Sequence, residues 1–349
     1  ILPLCFDKKN NIMVSFKKYN SIENVFDKEF VDKIKLEGHE NAQFVIQEKV
    51  HGANFCFVTD GEIVTAGKRT GFVETDESFY GHEELLERYK EKVIKIFALV
   101  KEKYPDTLAV TVFGEMFGGK YPHPEITNDS RISCIQKGVY YCPNHEFYAF
   151  DLYVSSADTA RFFVVNEMNT FFEKAGFLYA KTLFTGTIDE CLQYPNAFPS
   201  HISGWLGLPP IDDNICEGIV IRPSEPLYFQ NGARVLLKSK NSRFAEKKSV
   251  KKRIKTPSVK PLYSEILQNL LDTSEEYVTE NRLNNVVSKI GTVSMPKDTG
   301  KLIGLFSKDI LEDFLKEYSV QYHSLEKDEQ KILNKYINSQ ATALIKKIF

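Results

Sequence analysis

The hydrophobic pattern changes period once along the chain. Between about residues 41 and 239 apolar residues come in short dense runs, whereas from about residue 260 they recur every three or four positions. Runs of the first kind predict strands. They cover residues 44–46 and 55–59, on either side of Glu48-Lys49-Val50-His51-Gly52-Ala53-Asn54, and then residues 63–66, 108–117, 146–154, 217–222 and 234–239. Asp60-Gly61 marks a hairpin, because this pair supplies the positive φ angles of a tight primed turn. One helix interrupts the strands over residues 82–104, where Leu85, Leu86, Tyr89, Val93, Ile96, Phe97 and Val100 share a face and Pro105 ends the pattern. Residues 121–129 and 195–213 carry Pro, Asn and Asp and predict loops.

Beyond residue 238 the composition shifts. Ten lysines and arginines face one acid, Glu246, between residues 238 and 260, and Pro257 and Pro261 close the segment. It predicts a hinge, a solvated linker or a phosphate-binding stretch. Helical spacing follows in Leu262, Ile266 and Leu270, in Leu283, Val286 and Ile290, in Ile310, Phe314 and Leu315, and in Ile332, Tyr336 and Ile345. The expected organisation is a mixed domain at 1–247, a basic linker at 248–260 and a helical domain at 261–349. A length of 349 residues accommodates this, since domains run to roughly 100–200 residues each.

Composition narrows the function. No apolar run approaches the ~18–20 residues of a membrane span, so no membrane partner is expected. The formal net charge of -2 gives no bulk attraction to polyanions, and any nucleic-acid site must arise from local clustering. Six cysteines without a CxxC pair argue against a zinc site or a disulfide framework and for a reducing compartment. Ile1-Leu2-Pro3-Leu4 followed by Lys8 and Lys9 does not match a signal peptide, whose charges come first. The expected location is a cytoplasm, cellular or of a virus-infected host, with an organelle left open.

Chemistry enters through polar residues inside apolar strands, which are costly there unless satisfied or used. Lys49 between two strands reads either as a hairpin lysine or as a nucleophile. A free lysine titrates near 10.4, so attack needs a pocket that releases its proton. Glu115 interrupts Val112-Phe113-Gly114, Asp151 follows Phe147-Tyr148-Ala149-Phe150, and Glu217-Gly218 heads Ile219-Val220-Ile221. Singly each acid reads as a half-exposed or ion-paired position; together they suit magnesium, which takes one or two carboxylates plus phosphate oxygens and water. Lys238 and Lys240 stand at i and i+2, on one side of a strand, where a solvated strand end and an anion site compete as explanations. Arg69, between Gly67 and Gly71, presents a fork for phosphate or carboxylate, or lies in an exposed turn.

In order and spacing this set resembles the covalent nucleotidyltransferases, the ATP-dependent ligases and mRNA capping enzymes, whose acceptor motif is Lys-x-Asp-Gly. Lys49-Val50-His51-Gly52 departs by its histidine and in that is similar to the RNA ligase 2 family, typified by the bacteriophage enzyme and the trypanosome RNA-editing ligases. Asn281-Arg282-Leu283-Asn284 and Pro296-Lys297-Asp298 resemble the bacteriophage type's C-terminal domain. The resemblance implies an α+β fold: a nucleotidyltransferase domain of antiparallel β-sheets with flanking helices, plus an α-helical C-terminal domain that closes on duplex RNA. It implies that Lys49 attacks the α-phosphorus of ATP, that AMP passes to an RNA 5′-phosphate, and that a 3′-hydroxyl displaces it to seal a nick. Lys238 and Lys240 would hold the α-phosphate. Glu115, Asp151 and Glu217 would anchor Mg2+, with Mn2+ as a substitute. Phe150 would stack on adenine, Glu48 would line the base wall, and His51 and Asn54 would act near the phosphate and the RNA ends. Arg69, Phe79, Tyr80 and Arg282 would contact RNA, although a buried aromatic pair is the competing account of Phe79-Tyr80. The expected partner is nicked double-stranded RNA, bound by a monomer. A DNA ligase, a capping-type enzyme and a non-catalytic RNA-binding module are the rivals.

Overall fold

Glu48 to Asn54 does not turn back as a hairpin; it carries the chain from one sheet into another. The structure, a computed structural model, describes residues 15–75, 77–247 and 263–349. Cys5 and the expected linker at 248–260 lie outside them. The chain divides into two compact units, Ile1–Arg243 and Phe244–Phe349.

In the first unit β1 (Glu23–Asn24) leads into α1 (Lys28–Leu36), capped by the Asp27 carboxylate, which accepts from the Phe30 N–H. There follow β2 (Phe44–Lys49), β3 (Ala53–Thr59), β4 (Val64–Lys68), β5 (Gly71–Phe72), α2 (His82–Lys103), β6 (Ala109–Gly118) and β7 (His145–Ser155). The remainder is β8 (Ala160–Phe162), α3 (Val165–Ala175), β9 (Leu178–Tyr179), β10 (Thr182–Gly186), α4 (Ile188–Leu192), α5 (Ile202–Trp205), β11 (Gly218–Pro223) and β12 (Leu237–Lys240). One sheet has the order β1-β12-β11-β2-β10; the other runs β5-β4-β3-β6-β7-β8, with β9 added on β7. Pairing is antiparallel except for the two-residue strands β1 on β12 and β9 on β7.

Apolar faces explain the layering. Leu85, Tyr89, Val93, Ile96 and Val100 of α2 pack with Phe55, Phe57 and Phe147 of the larger sheet, joined by Met168 and Phe172 of α3. Ile34 of α1 and Ile188 of α4 cover Phe44, Ile46, Ile219, Ile221 and Leu237 of the smaller sheet. Each such side chain, fully buried, contributes about 1.5–3 kcal/mol.

Two local expectations change. The Thr59–Val64 pair leaves four residues at the β3–β4 turn, in which Asp60 Oδ1 accepts from the N–H groups of Glu62 and Ile63. An Asx side chain that bonds the backbone ahead of it favours this wider turn over a primed two-residue one. Residues 195–213 are not wholly loop, because α5 lies within them. Helix α3 was missed, although Val165, Met168, Phe172 and Ala175 keep helical spacing and are buried.

The second unit contains α6 (Glu265–Ser274), α7 (Glu280–Ile290), α8 (Thr299–Ser324, broken at Tyr318) and α9 (Lys327–Ile348). Ser264 and Thr279 cap the first two through side-chain oxygens. Leu267, Leu283, Phe306, Ile310, Phe314, Leu333 and Ile337 form its core. Arg282 is 2 % exposed, and its Nη1 donates to Asp309 Oδ2 (2.9 Å) and Asp313 Oδ2 (2.8 Å). This corrects the expectation of an RNA contact: a guanidinium already bound by two carboxylates inside a helical bundle is a structural tie. Among the described residues no helix is long and apolar enough to cross a membrane.

Candidate active site

Lys49 is the last residue of β2, opposite Gly218 of β11, and Gly218 is in turn opposite Lys240 of β12. Two ammoniums thus flank one strand start, with Glu217 just before it. The flanking strands come this close because position 218 has no side chain. A Cβ there would lie 2.0 Å from the Ser239 carbonyl oxygen, and its φ of +152° suits glycine. Gly52 plays the same part on the other side. Its Cβ would fall 2.2 Å from the Met116 carbonyl oxygen and 2.9 Å from Glu115 Cγ, so only glycine lets β6 and its carboxylate lie against the crossing.

The Glu217 side chain is fully buried. Lys49 Nζ donates to its Oε2 at 2.7 Å, Lys240 Nζ stands 3.1 Å from Oε1, and His51 Nδ1 is 3.5 Å from Oε2. Burial by itself would raise its pKa, but Lys49, Lys240 and His51 outweigh burial and hold the carboxyl well below its usual range. Glu115 responds oppositely to the same surroundings. Burial first and the Glu217 charge second push it up to about 7, against the pull of Lys49 and Lys240. Below that crossing, the His51 N–H donates to the buried Tyr141 hydroxyl at 2.9 Å. Asn54 faces Glu115 across the β3–β6 ladder. Lys238 lies two residues before Lys240 on β12, across from Val220.

Arg69, in the turn between β4 and β5, donates to the Asn20 carbonyl oxygen at 3.3 Å. Burial lowers its pKa, and Tyr19 and Glu115 partly restore it. Phe150 is the extra residue of a β-bulge, since Phe113 pairs with Asp151 while Gly114 pairs with Ala149. A bulge re-aims side chains, and here Phe150 meets Tyr19 at 5.0 Å between ring centroids while Asp151 turns inward.

Asp151 does not join the other carboxylates. Its Oδ1 accepts from Arg222 Nη2 (3.0 Å), and its Oδ2 accepts from Arg234 Nη1 (2.6 Å) and the Tyr19 hydroxyl (2.8 Å). Burial raises its pKa, yet Arg222 and Arg234 overcome this and lower it. The expectation of a metal role for Asp151 is therefore corrected: its oxygens are spent inside the protein. Among the described residues no group of three His, Cys, Asp or Glu side chains is disposed to hold a metal ion. Glu115 suits a magnesium bound by one or two carboxylates with phosphate oxygens and water, because burial and the Glu217 charge outweigh Lys49 and Lys240 around it; the Glu217 oxygens already face Lys49 and Lys240.

Glu48, on the opposite face of β2 from Lys49, is also fully buried, with its oxygens taken by Ser200 and His201. That leaves its backbone, rather than its carboxylate, for lining a base. Phe79 is 0 % exposed and stacks on Phe55 at 6.1 Å, so it belongs to the core, as the competing account had it, and not to an RNA surface. Tyr80 is half-buried against it, and burial pushes its phenol up to about 12.

Sequence inspection missed Tyr19, Asn20, Tyr141, Ser200, His201, Arg222 and Arg234. The two arginines were within reach, since the cost of a polar residue inside an apolar strand applies to them as it does to Glu217. The others carry no local signal.

Two lysines and two carboxylates, Lys49, Lys240, Glu115 and Glu217, thus meet where two sheets join. The sequence profile described as RNA ligase matches residues 42–240, more than half of the chain, and the chain belongs to the RNA ligase family. The profile described as T4 RNA ligase 2 C-terminal matches residues 261–343, which places the chain in the RNA ligase 2 branch. Mitochondrial RNA-editing ligase 2 of Trypanosoma brucei brucei is 27% identical over 378 residues, covering 95% of this chain and 90% of that protein. Mitochondrial RNA-editing ligase 1 from the same species is 27% identical over 342 residues, covering 82% of this chain and 73% of its own. An RNA ligase from Naegleria gruberi superposes with a TM-score of 0.44 at 14% identity, over 65% of this chain and 56% of that one.

Proposed function

We propose that this protein is an ATP-dependent RNA ligase that joins 5′-phosphate and 3′-hydroxyl ends in nicked duplex RNA through lysyl-AMP. The carrying observation is the convergence of Lys49, Lys240 and Glu115 on Glu217 at the junction of two sheets. Lys49 is ion-paired with Glu217, and a protonated amine cannot attack. Nζ must first give up its proton, and the Glu217 carboxylate 2.7 Å away is the nearest acceptor; the neutral amine can then leave Glu217 and face the α-phosphorus of an incoming triphosphate. Attack forms the Nζ–P bond and expels pyrophosphate, whose charge Lys240 and Lys238 offset. The adenylate then passes to the RNA 5′-phosphate, and a 3′-hydroxyl displaces AMP. All three steps are phosphoryl transfers, in which positioning and charge stabilisation do most of the work. Glu115, with Glu217 beside it, would hold a magnesium or manganese ion, whose charge would be supplied to the phosphates.

Residues 1–247 serve as the adenylyltransferase domain and 261–349 as a helical RNA-contacting domain, working as a monomer. Duplex RNA is recognised through backbone shape and 2′-hydroxyls, so little sequence preference is expected. A cytoplasm is the proposed location, and an organelle is the alternative that the mitochondrial trypanosome relatives represent. Incubation with α-labelled ATP and Mg2+ should label the protein, and Lys49→Ala should abolish the label. A label that persists at another residue overturns the assignment. Comparing ATP with GTP as donor, and RNA with DNA on the 3′-hydroxyl side of a nick, separates this activity from capping and DNA ligation.

A further inference from the structure

We infer that Ser200 and His201 are positioning residues for Lys49: by gripping the Glu48 carboxylate behind β2, they fix the strand end that presents the lysine. Glu48 has no exposed side-chain surface, and its carboxylate is held by Ser200 and His201. A buried carboxylate in that situation needs hydrogen-bond donors. Three converge on it: Ser200 Oγ at 2.6 Å on Oε1, and the His201 N–H at 2.9 Å and ring Nδ1 at 3.0 Å on Oε2. The Tyr148 hydroxyl donates to the Glu48 carbonyl oxygen at 3.2 Å, so backbone and side chain are both pinned one residue before Lys49.

Strand alternation sends the Glu48 and Lys49 side chains to opposite faces. Glu48 therefore acts on the lysine only through the peptide plane between them. If the carboxylate loses its donors, it must take up a proton or swing toward water. Either event rotates the last residue of β2, and a misplacement of about 1 Å costs on the order of 100-fold in rate.

Other ionisable groups stand around the pair. Lys181 Nζ sits over the Trp205 ring at 4.8 Å. Burial first, with the Glu48 charge acting in the same direction, pushes the Tyr141 and Tyr148 phenols and the Cys216 thiol up and keeps them neutral. The hydrogen bond to Glu48 raises the His201 pKa. The structure also supplies a reporter. Trp205 is the only tryptophan of the chain, and it stacks on His201 at 5.7 Å with 15° between the rings.

The inference rests on the proposed lysyl-AMP chemistry, and the test separates the two. Full-length wild type, His201→Ala and His201→Asn are given α-labelled ATP under single-turnover conditions, while Trp205 fluorescence is followed against pH. If wild type forms no adduct at Lys49, the functional proposal fails. If it does, His201→Ala should slow adduct formation by tenfold or more at saturating ATP, on the order expected for a misplaced group, with KM for ATP little changed. His201→Asn, which places an N–H near the Nδ1 position, should recover most of the rate. Wild-type fluorescence should titrate with a midpoint above the ordinary histidine value of about 6.5, and that transition should vanish in His201→Asn. Equal rates in wild type and His201→Ala overturn the inference, as does an Asn variant no faster than the Ala variant.

Discussion

Replacing Glu217 by Gln tests the charge balance of the site. The substitution keeps the shape and removes one negative charge beneath two lysines whose side chains are only 18% and 11% exposed. At 2.7 and 3.1 Å, and with an effective dielectric of about 20, the two pairs carry roughly 6 and 5 kcal/mol of gross attraction. Desolvation of three charged groups offsets much of this, and removing one partner of a buried pair costs about 3–5 kcal/mol net. For a domain of this size that is a fall of roughly 6–20 °C in Tm. Heating the nucleotide-free full chain while following Trp205 fluorescence reads the first unit, where that tryptophan lies. Pyrophosphate should narrow the gap, because it returns negative charge between the lysines, and lysyl-AMP formation should fall by about 10²–10³. A variant melting within about 2 °C of wild type, less than 1 kcal/mol on the same scale, would refute the idea that Glu217 holds these cations.

Glu115 gives a pH signature with a defined sign. Its folded-state pKa of about 7 exceeds the unfolded value, so the folded state binds the extra proton and stability falls as pH rises from about 4.5 to 7, then levels off. Glu115→Gln should flatten that part of a Tm-versus-pH curve and also the rise of adenylylation through pH 7; an unchanged slope would count against the shift. Asp151→Asn should cost about 3–5 kcal/mol by leaving Arg222 and Arg234 buried without their charge partner, while the dependence of adenylylation on Mg2+ concentration stays that of wild type. Because the Asp151 pKa is depressed, its contribution is present above pH ~3.9 and is lost as pH falls below that; a changed metal requirement would restore its metal role. Arg282→Met should lower the melting temperature of the helical unit, as Asp309 and Asp313 then lie against an apolar side chain, and a loss of RNA affinity with unchanged melting would reverse the structural assignment.

How much was legible in the residues differs from element to element. The strands at 108–117 and 146–154, the helix at 82–104 and the helices after 260 could be read, because each must bury a continuous apolar face and so carries its own period. Lys49, Glu115, Glu217 and Lys240 could be read as a set, since each breaks an apolar strand at a cost that needs an explanation. Asp151 broke one too and was assigned to the wrong partner set. Sequence records that a buried charge must be compensated but not by what, and only folding brought Arg222 and Arg234, 71 and 83 positions away, to its oxygens. Arg282 and Phe79 were misplaced for the same reason, burial being a property of the packed chain. The passage of residues 49–53 from one sheet to the other, the room that Gly52 and Gly218 leave for facing backbone, and the grip of His201 on Glu48 all depend on contacts between segments distant in sequence. That a charge inside an apolar strand must be paired follows from its residue type; which partner it meets follows from the packing of distant segments.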